Sequence, residues 1–260
     1  MSPTQNWSRA LVTGASGGIG EAYARALAAR GTALVLVARR AERLEKLAAE
    51  LGTEVEVLTA DLADDDGRAS VEARLGATDA PVDLLVNNAG FGTTGAFAEL
   101  DVEREDEEIR LNVLALMRLT RAALPGMLER GHGGIVNLGS VAAFVPAAKS
   151  ATYAASKAFV LSFTEAISEE VRGKGVRVQC LCPGLTRTEF QTTADYDASA
   201  QPGFMWQRAD QVVAESLAAL DRGKVVCVTG LQNRSMVVGT SLVPRSAKRR
   251  LAALVSGQGK

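Results

Sequence analysis

Tyr153 and Lys157 stand four residues apart in the run Tyr153-Ala154-Ala155-Ser156-Lys157, and Ser140 closes an apolar run thirteen residues upstream. Side chains at i and i+4 share one face of a helix, so a phenol and an ammonium can enter one pocket. A free phenol, with a pKa of about 10, is a poor proton carrier at neutral pH. A nearby positive charge favours phenolate and is expected to lower that value. With a serine hydroxyl beside it, such a pair can move a proton onto or off an alcohol oxygen. A helix that carries Tyr and Lys by chance has no need of further machinery. Chemistry does need it, because something must hold a reaction partner against the phenol.

The N-terminal region supplies a holder. Arg9-Ala10-Leu11-Val12-Thr13 reads as a strand, Gly14-Ala15-Ser16-Gly17-Gly18-Ile19-Gly20 as a tight turn, and Glu21 to Leu27 as a helix with an apolar stripe. Glycines let the main chain approach a ligand closely. The helix that follows offers unpaired N–H groups and a positive dipole end, suited to a pyrophosphate. The spacing, Thr-Gly-x-x-x-Gly-x-Gly, is one residue longer between its first two glycines than the commoner dinucleotide fingerprint.

Apolar runs alternate with helical segments along the rest of the chain. Strands are expected near Ala10–Thr13, Ala33–Ala38, Val55–Thr59, Leu84–Asn87, Ile135–Leu138, Val176–Leu181 and Val225–Val228. Helices are expected near Gly18–Arg30, Arg40–Leu51, Asp65–Leu75, Val102–Arg130 and Ala151–Arg172. Continuous apolar strands imply a parallel sheet covered on both faces. Strand–helix alternation then gives a single doubly wound α/β domain, with ligands at the carboxyl ends of the strands. Gly14 and Ser140 both follow strand ends and so should face one crevice.

Bulk properties narrow the function. With 260 residues, 47% hydrophobic and 23% charged, the chain suits one large globular domain. A net charge of −1 gives no case for nucleic acid. No apolar run reaches the ~18 residues of a membrane span, and Met1 to Ser8 lack the apolar core of a signal peptide. A cytoplasmic protein is expected. One histidine, His132, makes a histidine-based metal site an unpromising reading. Cys180 and Cys182 are expected to leave opposite strand faces without forming a disulfide, and Cys227 to be a buried thiol.

These residues together resemble the short-chain dehydrogenase/reductase family over about Arg9 to Val228. The resemblance rests on the Thr13–Gly20 loop, Asp61-Leu62, Asn87-Asn88-Ala89-Gly90, Asn112, Ser140, the Tyr153/Lys157 pair and Pro183-Gly184-Leu185-Thr186-Arg187-Thr188. It implies a Rossmann-type fold of about seven parallel strands with helices on both faces, a nicotinamide cofactor, and hydride exchange between a carbonyl and an alcohol. By the same resemblance Tyr153 is the general acid, Lys157 holds the nicotinamide ribose and keeps the phenol acidic, and Ser140 donates to the substrate oxygen. Asn112 would hold a water leading from Lys157 to solvent. Gly14, Ser16, Gly18, Ile19 and Gly20 would cradle the phosphates, and Asp61 and Leu62 would bracket adenine. Asn88, Ala89 and Gly90 would form a main-chain shelf, while Pro183, Gly184, Thr186 and Thr188 would hold the carboxamide and pyrophosphate. Asn87 is read instead as a strand-end cap.

The second strand addresses the choice of cofactor. An NAD site ends this strand with an acid that binds the ribose 2′-hydroxyl. Here Ala38 stands in that place and Arg39-Arg40 follow. A guanidinium can fork onto a 2′-phosphate, so NADP (NADPH) is expected, with Arg39 as its contact and Arg40 in reserve.

The domain is expected to run from 9 to 229 behind a short arm, 1–8, with a C-terminal extension, 230–260, that compact relatives lack. The segment 186–206 reads as a substrate lid. Phe91, Phe97, Ala143, Phe144, Val145 and Pro146 are candidate pocket walls, with Phe190 and Trp206 closing over them. No Lys or Arg lies within Val141–Ala148, so an uncharged, apolar carbonyl or alcohol is expected as substrate. The competing readings are a non-catalytic NADP-binding sensor or scaffold, and a reductase of carbon–carbon double bonds. The helices near Val102–Arg130 and Ala151–Arg172 carry apolar residues on more than one face, which implies a homodimer or homotetramer. The basic stretch Arg245–Arg250 and apolar Leu251–Val255 leave membrane contact as a lesser alternative to packing.

Overall fold

A computed structural model describes residues 6–194, 202–241 and 243. Seven parallel strands form one sheet in the order β3-β2-β1-β4-β5-β6-β7. They are β1 (Arg9–Thr13), β2 (Ala33–Ala38), β3 (Val55–Thr59), β4 (Leu84–Asn87), β5 (Gly133–Leu138), β6 (Val176–Cys182) and β7 (Val226–Val228). The strand order reverses between β1 and β4, and the crevice of a doubly wound sheet opens at such a point.

Helices cover both faces, as the apolar strands require. On one side α1 (Gly18–Ala28), α2 (Ala41–Glu50) and α8 (Ala209–Asp221) bury Tyr23, Leu27, Leu44, Val213 and Leu217 against Val12, Leu34 and Leu36. On the other, α3 (Asp65–Gly76) and α5 (Leu116–Arg130) pack Val71, Leu119 and Met127 on Leu11, Val35, Leu85 and Ile135. Each fully buried aliphatic side chain contributes about 2 kcal/mol of burial. Sequence analysis left α8 unassigned. Its buried positions, Val212, Val213, Ser216, Leu217 and Leu220, have helical spacing, but the run directly follows the expected lid, of which residues 195–201 lie outside the described residues.

Three further points differ from expectation. The helix expected across Val102–Arg130 is interrupted: α4 (Val102–Ile109) passes through a widened π-helical turn, Arg110–Ala115, into α5. Cys180 and Cys182 share a strand face, because side chains two apart point the same way. Their sulfurs lie 3.5 Å apart, and all three cysteines are free thiols. Asn87 is not a strand-end cap. Its side-chain amide donates to Asn137 Oδ1 at 2.9 Å and Thr120 Oγ1 at 3.1 Å, and Asn137 donates on to Thr164 Oγ1. This buried chain of amides and hydroxyls ties β4 and β5 to α5 and α6 (Ala151–Glu170). Each of its members meets a polar partner in an otherwise apolar interior.

Beyond β6 the chain forms α7 (Phe190–Thr193), and α9 (Leu231–Ser241) follows β7. Among the described residues no helix is long and apolar enough to cross a membrane. Arg245–Arg250 and Leu251–Val255 lie outside the described residues.

Candidate active site

The glycine-rich turn is shaped for an anion. Gly18 has φ +59°, a left-handed conformation that L side chains rarely adopt, at the first residue of α1. A side chain on Gly20 would stand 2.3 Å from the Gly14 carbonyl oxygen, so only glycine lets α1 approach the end of β1. Asn88 locks this turn to β4: its Nδ2 donates to the Thr13 carbonyl at 2.9 Å, and its own N–H donates to Thr13 Oγ1. Ala89 N–H donates to the same hydroxyl at 2.9 Å. Asn88 and Ala89 therefore hold the loop against the end of β4.

From this turn a cleft of about 570 Å³ runs along the carboxyl ends of the strands. Of the residues singled out from sequence, Gly14, Ser16, Gly18, Ile19, Arg39, Asp61, Leu62, Asn88, Ala89, Gly90, Phe91, Ser140, Tyr153, Lys157, Pro183, Gly184, Thr186, Thr188 and Phe190 line it. Gly20, Asn112, Phe144, Val145 and Trp206 do not. Phe144 packs into the cluster of Leu116, Val160, Cys180 and Cys182, and Val145 is the extended residue that ends the same 3-10 turn. Trp206 lies near the Arg187 guanidinium, 5.8 Å from ring centroid to Cζ. Phe97 is two-thirds exposed on the surface. The cleft walls come instead from Gly92, Thr93, Val141, Ala142, Ala147, Leu185 and Gln191, which sequence reasoning passed over. Their signal was position, within ten residues after the ends of β4, β5 and β6.

Deep in the cleft, α6 presents Tyr153 and Lys157 on one face opposite Ser140 at the end of β5. Ser140 is 8% exposed, and its Oγ accepts from the Ala142 N–H at 3.1 Å. Phe190 from α7 lies against the Tyr153 ring, centroids 5.4 Å apart. The space it uses exists because residue 92 is glycine, whose Cβ would stand 2.9 Å from Tyr153 Cδ2 and 3.3 Å from Phe190 Cζ. Lys157 Nζ donates to the Leu138 carbonyl at 2.8 Å and sits 5.7 Å from the Tyr153 ring centroid.

Electrostatics here correct the expectation that Lys157 simply acidifies the phenol. Burial dominates: it pushes Tyr153 up to about 12, partly offset by a hydrogen bond with Ser140 and reinforced by the Glu108 carboxylate. Burial also pulls Lys157 down to about 8. The ammonium charge is thus itself present only up to mildly alkaline pH. Perturbed groups of this kind converge where proton chemistry is done.

Asn112 sits behind the cleft, in the π-helical turn, a feature frequent at functional sites. Its Nδ2 donates to Phe91 O at 2.8 Å and Ser156 Oγ at 3.2 Å, and its Oδ1 accepts from the Phe91 N–H at 3.2 Å. The amide is engaged by protein, bracing the loop after β4 against α6.

At the other end of the cleft, Arg39 and Arg40 stand where β2 passes into α2. Arg39 is 58% exposed, with loose ion pairs to Asp61 at 3.5 Å and Glu107 at 3.4 Å. Arg40 is held more firmly: it donates to Ser16 Oγ at 3.0 Å and pairs with Glu189 at 2.9 Å. Thr188 packs over Gly18, 3.1 Å from the position of a Cβ, and its Oγ1 accepts from the Phe190 N–H. Glycines, hydroxyls and guanidinium groups thus surround an elongated space with no carboxylate at Ala38. That arrangement fits a dinucleotide.

Comparison with known proteins agrees with the geometry. The family described as short chain dehydrogenase matches residues 8–198. Oxidoreductase UcpA of Salmonella typhimurium is 40% identical over 253 residues, covering 91% of this chain and 95% of that protein. Sulfoacetaldehyde reductase 2 of Chromohalobacter salexigens is 40% identical over 215 residues, covering 81% and 85%. Among solved structures, a short-chain dehydrogenase from Sphingobium yanoikuyae in complex with NADPH superposes with a TM-score of 0.83 at 37% identity, covering 94% of this chain and 95% of that one. A fold, a phosphate turn and a Ser/Tyr/Lys constellation that coincide in this way make the chain an oxidoreductase that uses a nicotinamide cofactor, and it belongs to the short-chain dehydrogenase family.

Proposed function

We propose that this protein is an NADP-dependent carbonyl reductase or alcohol dehydrogenase acting on uncharged, apolar substrates, with Tyr153 as general acid and base. The observation that carries the reading is the meeting of Tyr153, Ser140 and Lys157 in the cleft that begins at the Gly14–Gly20 turn. The nicotinamide, when bound, supplies or accepts the hydride. In reduction Tyr153 gives its proton to the substrate oxygen, while Ser140 donates a second hydrogen bond to that oxygen as negative charge develops. Lys157 holds the ribose and supplies positive charge beside the phenol. Asn112 keeps Phe91 and α6 in register. The wall residues Phe91, Val141, Ala142, Ala147, Leu185 and Phe190 favour an apolar substrate, and none carries a charge. A bulky-bulky ketone specific alcohol dehydrogenase from Comamonas testosteroni, 32% identical with a TM-score of 0.77, supports a ketone as the class to test first. Loss of NADPH absorbance with a panel of ketones, aldehydes and enones tests the reading. Turnover of enones alone would favour double-bond reduction, and binding without any turnover would favour a sensor.

Preference for NADP is assigned to Arg39. Its present ion pairs are long and exposed, so the guanidinium is available for a 2′-phosphate. One lost charge-assisted bond costs about 1.5–3 kcal/mol, roughly ten- to 150-fold in affinity. Arg39→Ala should weaken NADPH by that factor and leave NADH nearly unchanged in fluorescence titration. Equal weakening of both would make Arg39 structural.

Assembly is read from α4 and α6. Ile109 and Phe159 remain 41% and 39% exposed on these helices, and Phe159 stacks on Phe163 at 5.6 Å. A two-fold pairing of α4, α5 and α6 would cover them in an isologous interface. Light scattering should give at least a dimer mass, and a monomer mass independent of concentration would defeat this.

A further inference from the structure

Glu108 has no place in the chemistry described so far, yet it is fully buried directly behind it, at 0% exposure. Its Oε2 accepts from Thr93 Oγ1 at 2.8 Å, and its Oε1 lies 3.4 Å from Asn112 Nδ2. Thr93 lines the cleft, and Asn112 braces it. Asn112 links this carboxyl to the surroundings of the lysine: its Nδ2 also donates to Ser156 Oγ, and a side chain on Gly90 would stand 2.6 Å from Asn112 Oδ1 and 3.6 Å from Lys157 Nζ. A buried carboxyl is costly unless it is partnered or neutral, and an apolar residue would fill this position more cheaply.

The charged and titratable groups around it are few. Glu105 lies one turn earlier on α4, and Thr152 of α6 donates to it. Lys157 and Tyr153 of α6 feel the field of Glu108, which raises the proton affinity of both. The loop after β4 contributes the hydroxyl and the main-chain N–H of Thr93. Burial pushes the Glu108 carboxyl up to about 7, with the Thr93 bond opposing and Glu105 adding to the rise. Its charge therefore appears within the working range of an enzyme.

We propose that Glu108 is a positioning residue whose negative charge, placed behind Asn112, fixes the pH at which the Tyr153–Lys157 pair gives up its proton. This rests on the proton-transfer role given above to that pair. Ionised Glu108 holds the pair protonated, which favours proton donation in carbonyl reduction. Alcohol oxidation needs the pair to have lost a proton, so the same charge delays it to higher pH.

Glu108→Gln keeps the shape and hydrogen-bonding capacity but carries no charge. With that anion gone, the ammonium and the phenol both release protons more readily, so every limb that depends on them moves to lower pH. The shift should be roughly half to one pH unit, as for a single charge several ångströms away in a partly hydrated interior. Below about pH 7, where Glu108 is itself protonated, variant and wild type should converge. Two readouts are needed. The first is the pH profile of ketone reduction and alcohol oxidation. The second is an NMR titration of the Lys157 side-chain nitrogen in the protein without cofactor, assigned with Lys157→Ala. Thr93→Val supplies an independent arm, since loss of the hydroxyl donor keeps Glu108 neutral to higher pH and should move the Lys157 titration in the same direction. An unmoved Lys157 titration in either folded variant would overturn the proposal, as would a rate that falls equally at every pH. Should the wild type reduce no carbonyl compound, the functional reading fails, and the NMR titration still decides the role of Glu108.

Discussion

Tyr153→Phe is expected to lower kcat for carbonyl reduction by roughly 10²–10⁴-fold, the usual worth of a positioned general acid. The substitution removes one oxygen and leaves the ring, which packs against Phe190 at 5.4 Å and fills the space beside Gly92. Neither the glycine-rich turn nor the arginines at the far end of the cleft touch that oxygen. NADPH affinity should therefore stay within about twofold, and the fold should be unaffected. In energetic terms the lost rate corresponds to roughly 3–5 kcal/mol of transition-state stabilisation. Substantial turnover by Tyr153→Phe, measured with saturating cofactor, would remove the phenol from the mechanism.

Lys157→Ala is expected to damage rate and cofactor binding together. Lys157 is only 4% exposed, and its ammonium donates to the Leu138 carbonyl. Its position beside Tyr153 gives it a second task, the electrostatic support of proton transfer. The rate should fall by roughly 10²–10⁴-fold. NADPH affinity should fall by about ten- to 150-fold if one charge-assisted bond to the ribose is lost. The pH dependence supplies an independent check. Burial lowers Lys157 to about 8 in the protein without cofactor, so the lysine is charged below that pH and neutral above it. Any step of the wild-type profile that reflects this charge should be missing from Lys157→Ala. A variant in which only the rate or only the affinity moves would show that the lysine has one task.

The sheet was legible in the sequence because a parallel strand covered on both faces reads as an unbroken apolar run. Leu34 to Ala38 and Leu84 to Asn87 could hardly have been anything else. The catalytic pair was legible because it depends on spacing within one helix, and helix geometry is fixed. Harder to read was everything that depends on distance in space. Cys180 and Cys182 were misplaced, although a strand's period of two puts them on one face. Asn87 looked like a cap because its partners Thr120 and Asn137 are 33 and 50 residues away in sequence. Phe144 was assigned to the pocket by proximity to Ser140 and Trp206 as an aromatic of the lid, whereas the packing turned Phe144 into the core and set Trp206 beside Arg187. The widened turn at Asn112 leaves no mark in composition. Glu108 is the clearest case, because an acid in the run Glu103-Arg104-Glu105-Asp106-Glu107-Glu108 reads as solvated surface. Only the register of α4 against Thr93 and α6 shows that Glu108, with Glu105 one turn before it, faces inward.

The central claim is that hydride moves between NADPH and a carbonyl carbon while Tyr153 supplies the proton. The most direct test follows an uncharged ketone with NADPH deuterated at its transferable position, comparing wild type with Tyr153→Phe. The account predicts that wild type consumes NADPH and places deuterium on the carbinol carbon of the product alcohol. It predicts that Tyr153→Phe binds the same cofactor and forms almost none of that product. Deuterium on a carbon that had been part of a double bond, equal labelling by the variant, or no consumption of NADPH with any ketone or aldehyde would contradict it.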